Sequence, residues 1–94
     1  MSEAKEFELL SDASNAVVAR YLGRNFPGLL IQGDTLRIIL DEIDELKEEA
    51  IAGDLEAVQE ISDVLREKFV ELLTHYEKVL EEHGCELPYV NPVR

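Results

Sequence analysis

The sequence has a single cysteine, Cys85, and no tryptophan. One thiol cannot form an internal disulfide, which excludes a small domain held together by disulfide bonds and agrees with a reducing compartment. No run of 18 apolar residues occurs, so a membrane-spanning helix is not expected. The polar start, Met1 to Lys5, lacks the apolar segment of a secretion signal. We therefore expect a cytoplasmic protein.

Basic side chains are also scarce, with 9 Lys and Arg against 21 Asp and Glu and a formal net charge of -12. A chain this negative repels nucleic acid and anionic membranes, so neither is expected as a partner. Basic proteins and metal cations are favoured instead. The apolar fraction of 46% is too high for a disordered chain, and 94 residues suit one core. These values predict a single domain over residues 1–94.

The stretch from Asp34 to Gly84 has the pattern of two amphipathic helices. Gly53 and Asp54 separate them, because glycine readily adopts the left-handed conformation that ends a helix and aspartate caps the next one. A connection this short predicts an antiparallel αα-hairpin. Asp34 or Thr35 is expected to accept a backbone hydrogen bond at the start of the first helix. The apolar positions at helical spacing include Leu36, Ile39, Leu40, Ile43, Leu46, Leu55, Val58, Ile61, Leu65, Phe69, Leu72, Tyr76, Val79 and Leu80.

The residues before this hairpin have the patterns of strands. Lys5–Ser11 alternates, and its residues Phe7 and Leu9 are expected to form the half-buried side. Turn-forming residues at 12–15 predict a hairpin with a second strand, Ala16–Leu22. Leu29–Gln32 is predicted to be a third strand, buried on both faces.

The predicted fold class is α+β. A three-stranded antiparallel sheet within residues 1–33 is followed by a long antiparallel αα-hairpin over residues 34–84, packed on one face of the sheet. Residues 85–94 contain two prolines and predict an extended tail, laid along the sheet by Leu87, Tyr89 and Val90.

Acidic residues recur along one side of the second predicted helix. Like charges three and four residues apart destabilise a helix by a few tenths of a kcal/mol per pair, so their retention points to a cation or a basic partner. We expect a non-catalytic interaction module, with the logic of small acidic immunity or inhibitor proteins, that forms a homodimer and needs no cofactor. Its predicted interaction surface is Glu56, Glu60, Asp63, Glu67 and Glu71.

An alternative function follows from the order of acids across the hairpin. Asp41-Glu42-Ile43-Asp44-Glu45 followed by Glu60-Ile61-Ser62-Asp63 resembles the signature of the MazG-like all-α nucleoside triphosphate pyrophosphatases. In that family such acids hold Mg²⁺, which binds the triphosphate. The resemblance implies that the ligands would be Asp41, Glu42, Glu45, Glu60 and Asp63. Under the first hypothesis the chain has no catalytic residue and no metal site.

Three other side chains could bind a soft metal: His75, His83 and Cys85. The two histidines lie eight residues apart, about 12 Å along a helix, which is too far for a shared ion without other elements. We expect them to be surface or capping histidines near a helix C-terminus.

Four segments resemble a family of small uncharacterised bacterial proteins, the domain-of-unknown-function family numbered 6959. The most specific is F-P-G-L-L-I-Q-G-D-T-L at residues 26–36, and residues 7–11, 14–18 and 75–89 also agree. The resemblance spans almost the whole chain and implies a single bacterial cytosolic domain. The resemblance implies no activity, and it assigns no functional residue to this sequence.

Overall fold

The computed structural model describes residues 6–11 and 16–93. The strands form one antiparallel sheet in the order β1-β2-β3, which together with the helices confirms the predicted α+β class. The predicted turn at residues 12–15 lies outside the described residues. No helix in the described part of the chain is long and apolar enough to cross a membrane. The elements are β1 Phe7–Ser11, β2 Ala16–Tyr21, β3 Gly28–Ile31, α1 Gly33–Ala52 and α2 Leu55–Glu82.

The chain divides into two compact units. The first takes its described residues from Met1–Ile31 and Leu72–Arg94, and the second is Gln32–Glu71. Helix α2 thus contributes its beginning to the second unit and its end to the first. A single domain over residues 1–94 remains a prediction.

The core of the first unit lies between one face of the sheet and the end of α2. Val18 of β2 and Leu80 of α2 are fully buried at its centre. An irregularity between Leu9 and Ser11 shifts the register of β1 against β2, and Leu10 at this point is buried in the core. The buried cluster consists of Leu10, Val18, Tyr76, Val79 and Leu80.

The other face of the sheet is open, and here two expectations from the sequence are wrong. Phe7 and Leu9 keep 62% and 58% of their surface exposed instead of facing the core. Leu30 is 66% exposed, so β3 is not buried on both faces. Strand β2 carries apolar residues on both sides, Ala16 and Val18 on one and Val17, Ala19 and Tyr21 on the other, and the end of α2 packs on the side of Val18. Alternation sorts side chains onto two faces without specifying which face a helix will cover.

The second unit is an antiparallel helical hairpin. Gly53 has φ 79° and ends α1, and the Asp54 carboxylate accepts a hydrogen bond from the Ala57 N–H at 3.0 Å, as predicted. Across the hairpin, the Lys68 ammonium forms an ion pair with the Glu42 carboxylate. Because the two partners lie similar distances along the chain from the turn, this pair requires the helices to run in opposite directions.

The start of α1 differs slightly from the prediction. The helix begins at Gly33, with Gln32 as its N-cap residue, and no side chain makes a capping bond from that position. Asp34 Oδ1 does accept a hydrogen bond from the backbone N–H of Thr35 at 2.8 Å. Asp34 is therefore a hydrogen-bond acceptor, as predicted, but it lies within the first turn of α1 and not at the N-cap position.

The C-terminal tail is held by one carboxylate of α2. Glu77 accepts hydrogen bonds from the Tyr89 hydroxyl at 2.8 Å and from the Val93 N–H at 2.9 and 3.1 Å. Leu87 and Tyr89 pack against the core cluster of the first unit. Val90 was expected to help lay the tail along the sheet, but it is 90% exposed. The hydrogen bonds at Glu77 hold the residues on either side of it to α2.

This tail contact predicts a loss of stability at alkaline pH. Burial, and then the hydrogen bond and charge of Glu77, raise the pKa of Tyr89 to about 12 from an ordinary value of 10.0. Burial followed by the charge of Cys85 also raises the pKa of Tyr76. The folded state therefore keeps protons that the unfolded chain releases. This contribution to stability is complete below pH 10 and is lost as the pH rises through about 12.

Urea unfolding followed by far-UV circular dichroism at a series of pH values between 8 and 12 tests this expectation. The free energy of unfolding should fall less steeply above pH 10 in Tyr89→Phe than in the wild type. An identical alkaline loss in both proteins would show that Tyr89 does not contribute.

Candidate functional site

The five predicted interaction residues form a continuous acidic stripe on the first half of α2. All five are exposed. At 100° per residue they fall within about 80° of one side of the helix, opposite its apolar positions, and from Glu56 to Glu71 they extend about 22 Å along the axis. The acidic stripe is Glu56, Glu60, Asp63, Glu67 and Glu71.

The basic side chains that form ion pairs in the described residues pair with acids outside the acidic stripe. Lys68 pairs with Glu42, and Arg37 Nη2 lies 3.0 Å from Asp41 Oδ1 one turn along α1. In the sheet, Arg20 pairs with Glu8, and this contact raises the pKa of the guanidinium. Within residues 6–11 and 16–93, no ion pair neutralises a member of the acidic stripe. Its charge is therefore available to a partner.

The residues of the alternative enzyme are distributed over both helices of the hairpin. Asp41 and Glu45 are exposed on α1, and Glu60 and Asp63 are exposed on α2 as members of the acidic stripe. Glu42 is half-buried and paired with Lys68. In the described part of the chain, no three or more His, Cys, Asp or Glu side chains are grouped so that they could hold a metal ion. The five ligands remain a prediction of the alternative.

The two histidines lie in different surroundings. The His83 Nδ1–H donates a hydrogen bond to the Val79 carbonyl at 2.9 Å in the last turn of α2, which confirms the capping prediction for this residue. His75 is half-buried, with Nε2 at 3.4 Å from the Ser11 hydroxyl on β1. Cys85 is also half-buried and packs against the core of the first unit.

A second surface was missed by reasoning from the sequence, namely the uncovered side of the sheet. The register pairs Phe7 with Tyr21 and Val17 with Leu30 across neighbouring strands on this side. The rings of Phe7 and Tyr21 meet edge to face, with centroids 5.1 Å apart. The sequence signal was the apolar character of both sides of β2. We call the following six residues, which line one shallow groove, the open sheet face: Phe7, Leu9, Val17, Tyr21, Phe26 and Leu30.

Comparison with known proteins finds one family. Residues 2–89 match the model described as "Family of unknown function (DUF6959)". No curated protein and no solved structure matches the chain. The match covers the sheet, both helices and the first half of the tail, so it agrees with the resemblance noted from the sequence.

Proposed function

Since this chain belongs to DUF6959, a family of unknown function, its role must be inferred from its own geometry, and we propose a non-catalytic protein-interaction module. The module binds a basic partner protein through the acidic stripe. One observation carries the proposal: five carboxylates lie exposed along about 22 Å of helix, and no ion pair in the described residues neutralises them.

The energetics of the helix support this role. Like charges at spacings of three and four residues cost a few tenths of a kcal/mol per pair in an isolated helix. A partner that places Lys or Arg side chains against the acidic stripe removes this repulsion and gains charge-assisted hydrogen bonds. The net charge of -12 also accelerates the encounter with a basic protein by electrostatic steering.

This mode of binding has the logic of small acidic immunity or inhibitor proteins, in which the charged surface itself blocks a basic target. The proposal includes a cytoplasmic location in a bacterium, with which the single half-buried Cys85 agrees.

A charge-reversal experiment tests the proposal. The wild type and the triple variant Glu60→Lys, Asp63→Lys, Glu67→Lys are used as bait at low salt, and the affinity of each retained basic protein is then measured by calorimetry. We expect the triple variant to bind at least about 100-fold more weakly, because repulsion replaces attraction at the centre of the contact. The wild-type complex should also weaken strongly between about 50 and 500 mM salt.

A matched control separates the acidic stripe from the overall charge. Asp44→Lys, Glu48→Lys, Glu82→Lys changes three exposed acids away from the stripe and moves the net charge from -12 by the same six units. It should bind within a few-fold of the wild type. Equal loss in both triple variants, or a complex that salt does not weaken, would contradict the proposed site. Pyrophosphate release from nucleoside triphosphates with Mg²⁺, abolished by Glu45→Gln, would support the alternative enzyme instead.

A further inference from the structure

The open sheet face leaves large apolar side chains uncovered. Phe7, Leu9 and Leu30 are 62%, 58% and 66% exposed, and Phe26 beside them is 44% exposed. We propose that this face is the interface of a homodimer, in which a second copy of the chain packs its own open sheet face against it. The proposed function does not depend on this interface, which lies on a different element of the chain.

The charge distribution favours the open sheet face over the acidic stripe as the place where a second copy binds. Two chains that each carry a net charge of -12 repel one another, so association is favoured where acidic side chains are absent from the contact. Among the described residues that line the groove of the open sheet face there is no Asp or Glu, and the single charged one is Arg24. The helical hairpin offers the opposite environment, because a second copy placed there would bring two acidic stripes together.

The available area is sufficient for a specific contact. The four most exposed side chains leave roughly 400 Å² of apolar surface in water. Two copies placed face to face remove roughly twice that area through these side chains alone, and the neighbouring backbone brings the total to about 1,000 Å², at which specific interfaces begin.

The geometry of the face suits a two-fold contact. In an isologous dimer both copies use the same surface. Phe7 on β1 and Leu30 on β3 lie on the two edge strands of the sheet, and each can pack against the strands of the other copy. Two twisted sheets stack about 10 Å apart with their strands within about 30° of each other, and their side chains interdigitate. The result is a six-stranded sandwich, in which the end of α2 covers the outer face of each sheet.

The oligomeric mass tests the proposal directly. Light scattering after size exclusion, at about 100 µM protein, should give the wild type a mass twice the 10.7 kDa of one chain. Leu9→Glu and Leu30→Glu should each give a monomer, with self-association weakened at least about 100-fold, because an unpaired carboxylate would be buried in the contact. Both positions are exposed in the single chain, so far-UV circular dichroism should show unchanged folding.

A control variant and the salt dependence complete the test. Ile51→Glu adds the same charge at a position 77% exposed on α1, and it should leave the dimer intact. Raising the salt concentration should preserve or strengthen the dimer, because repulsion between the copies is screened while apolar contact is not weakened. Binding to a basic partner would respond in the opposite direction, so the two proposals can fail separately. A monomeric wild type, a dimer that survives both leucine variants, or equal loss in Ile51→Glu would overturn the interface.

Discussion

Replacing Leu80 with alanine is expected to lower the free energy of unfolding by about 2–5 kcal/mol, the largest effect of any single change proposed for this chain. Leu80 has no exposed surface, and it lies in the buried cluster with Val18 and Val79. Alanine would remove apolar contacts and leave a cavity. Because the core is small, with one helix on a three-stranded sheet, few neighbouring side chains can move into that cavity.

Thermal unfolding followed by circular dichroism measures this loss. In a domain of this size each kcal/mol lowers the Tm by roughly 4–8 °C, so a shift of roughly 10 °C or more is expected. Leu55→Ala is the matched control, since Leu55 is 78% exposed and its replacement should change stability by less than about 0.5 kcal/mol. Similar shifts in the two variants would show that the end of α2 does not form the core.

Removing the hydroxyl of Tyr76 is the second large change and is expected to cost about 1–3 kcal/mol. Tyr76 is 5% exposed, and its hydroxyl donates a hydrogen bond of 2.6 Å to the Pro27 carbonyl. Pro27 is buried as well, so Tyr76→Phe leaves a carbonyl without its donor in a place that water does not reach. This bond joins the end of α2 to the residue that precedes β3, and its loss loosens the entry into the third strand.

Urea unfolding of Tyr76→Phe and Tyr21→Phe separates this bond from the general effect of losing a hydroxyl. In the described structure Tyr21 makes a ring contact with Phe7 but no hydrogen bond through its hydroxyl, so its replacement should be neutral within about 0.5 kcal/mol. Hydrogen exchange should also quicken at the backbone amides of β3 in Tyr76→Phe alone. A neutral Tyr76→Phe would mean that the Pro27 carbonyl finds another donor.

The helical hairpin could be predicted closely from the sequence because its signals are local. Gly53 takes the left-handed conformation with φ 79°, and Asp54 caps α2, as their residue types and order require. The acidic stripe follows from the same helical periodicity, because once the helix exists its residues must lie on one side. Its exposure was implied by the apolar residues on the opposite side.

The ion pair between Lys68 and Glu42 shows where local reasoning ends. The two residues are 26 positions apart, and only the packing of the two helices brings the ammonium to the carboxylate. This pair occupies one of the five acids that the resemblance to pyrophosphatases would assign to a metal. The hydrogen bonds that Glu77 accepts from Tyr89 and Val93 are further contacts that the periodicity of the sequence does not predict.

The sequence by itself determined the order of the strands and helices, the break between the two helices, the acidic stripe and the pairing of β1 with β2, because each depends on neighbouring residues. Only the tertiary structure decided which side of the sheet is covered. Strand β2 carries apolar residues on both sides, so two packings were compatible with its pattern. The irregularity after Leu9 and the buried side chains of Tyr76, Val79 and Leu80 place the core on the Val18 side, and Phe7, Leu9 and Leu30 are left open to water.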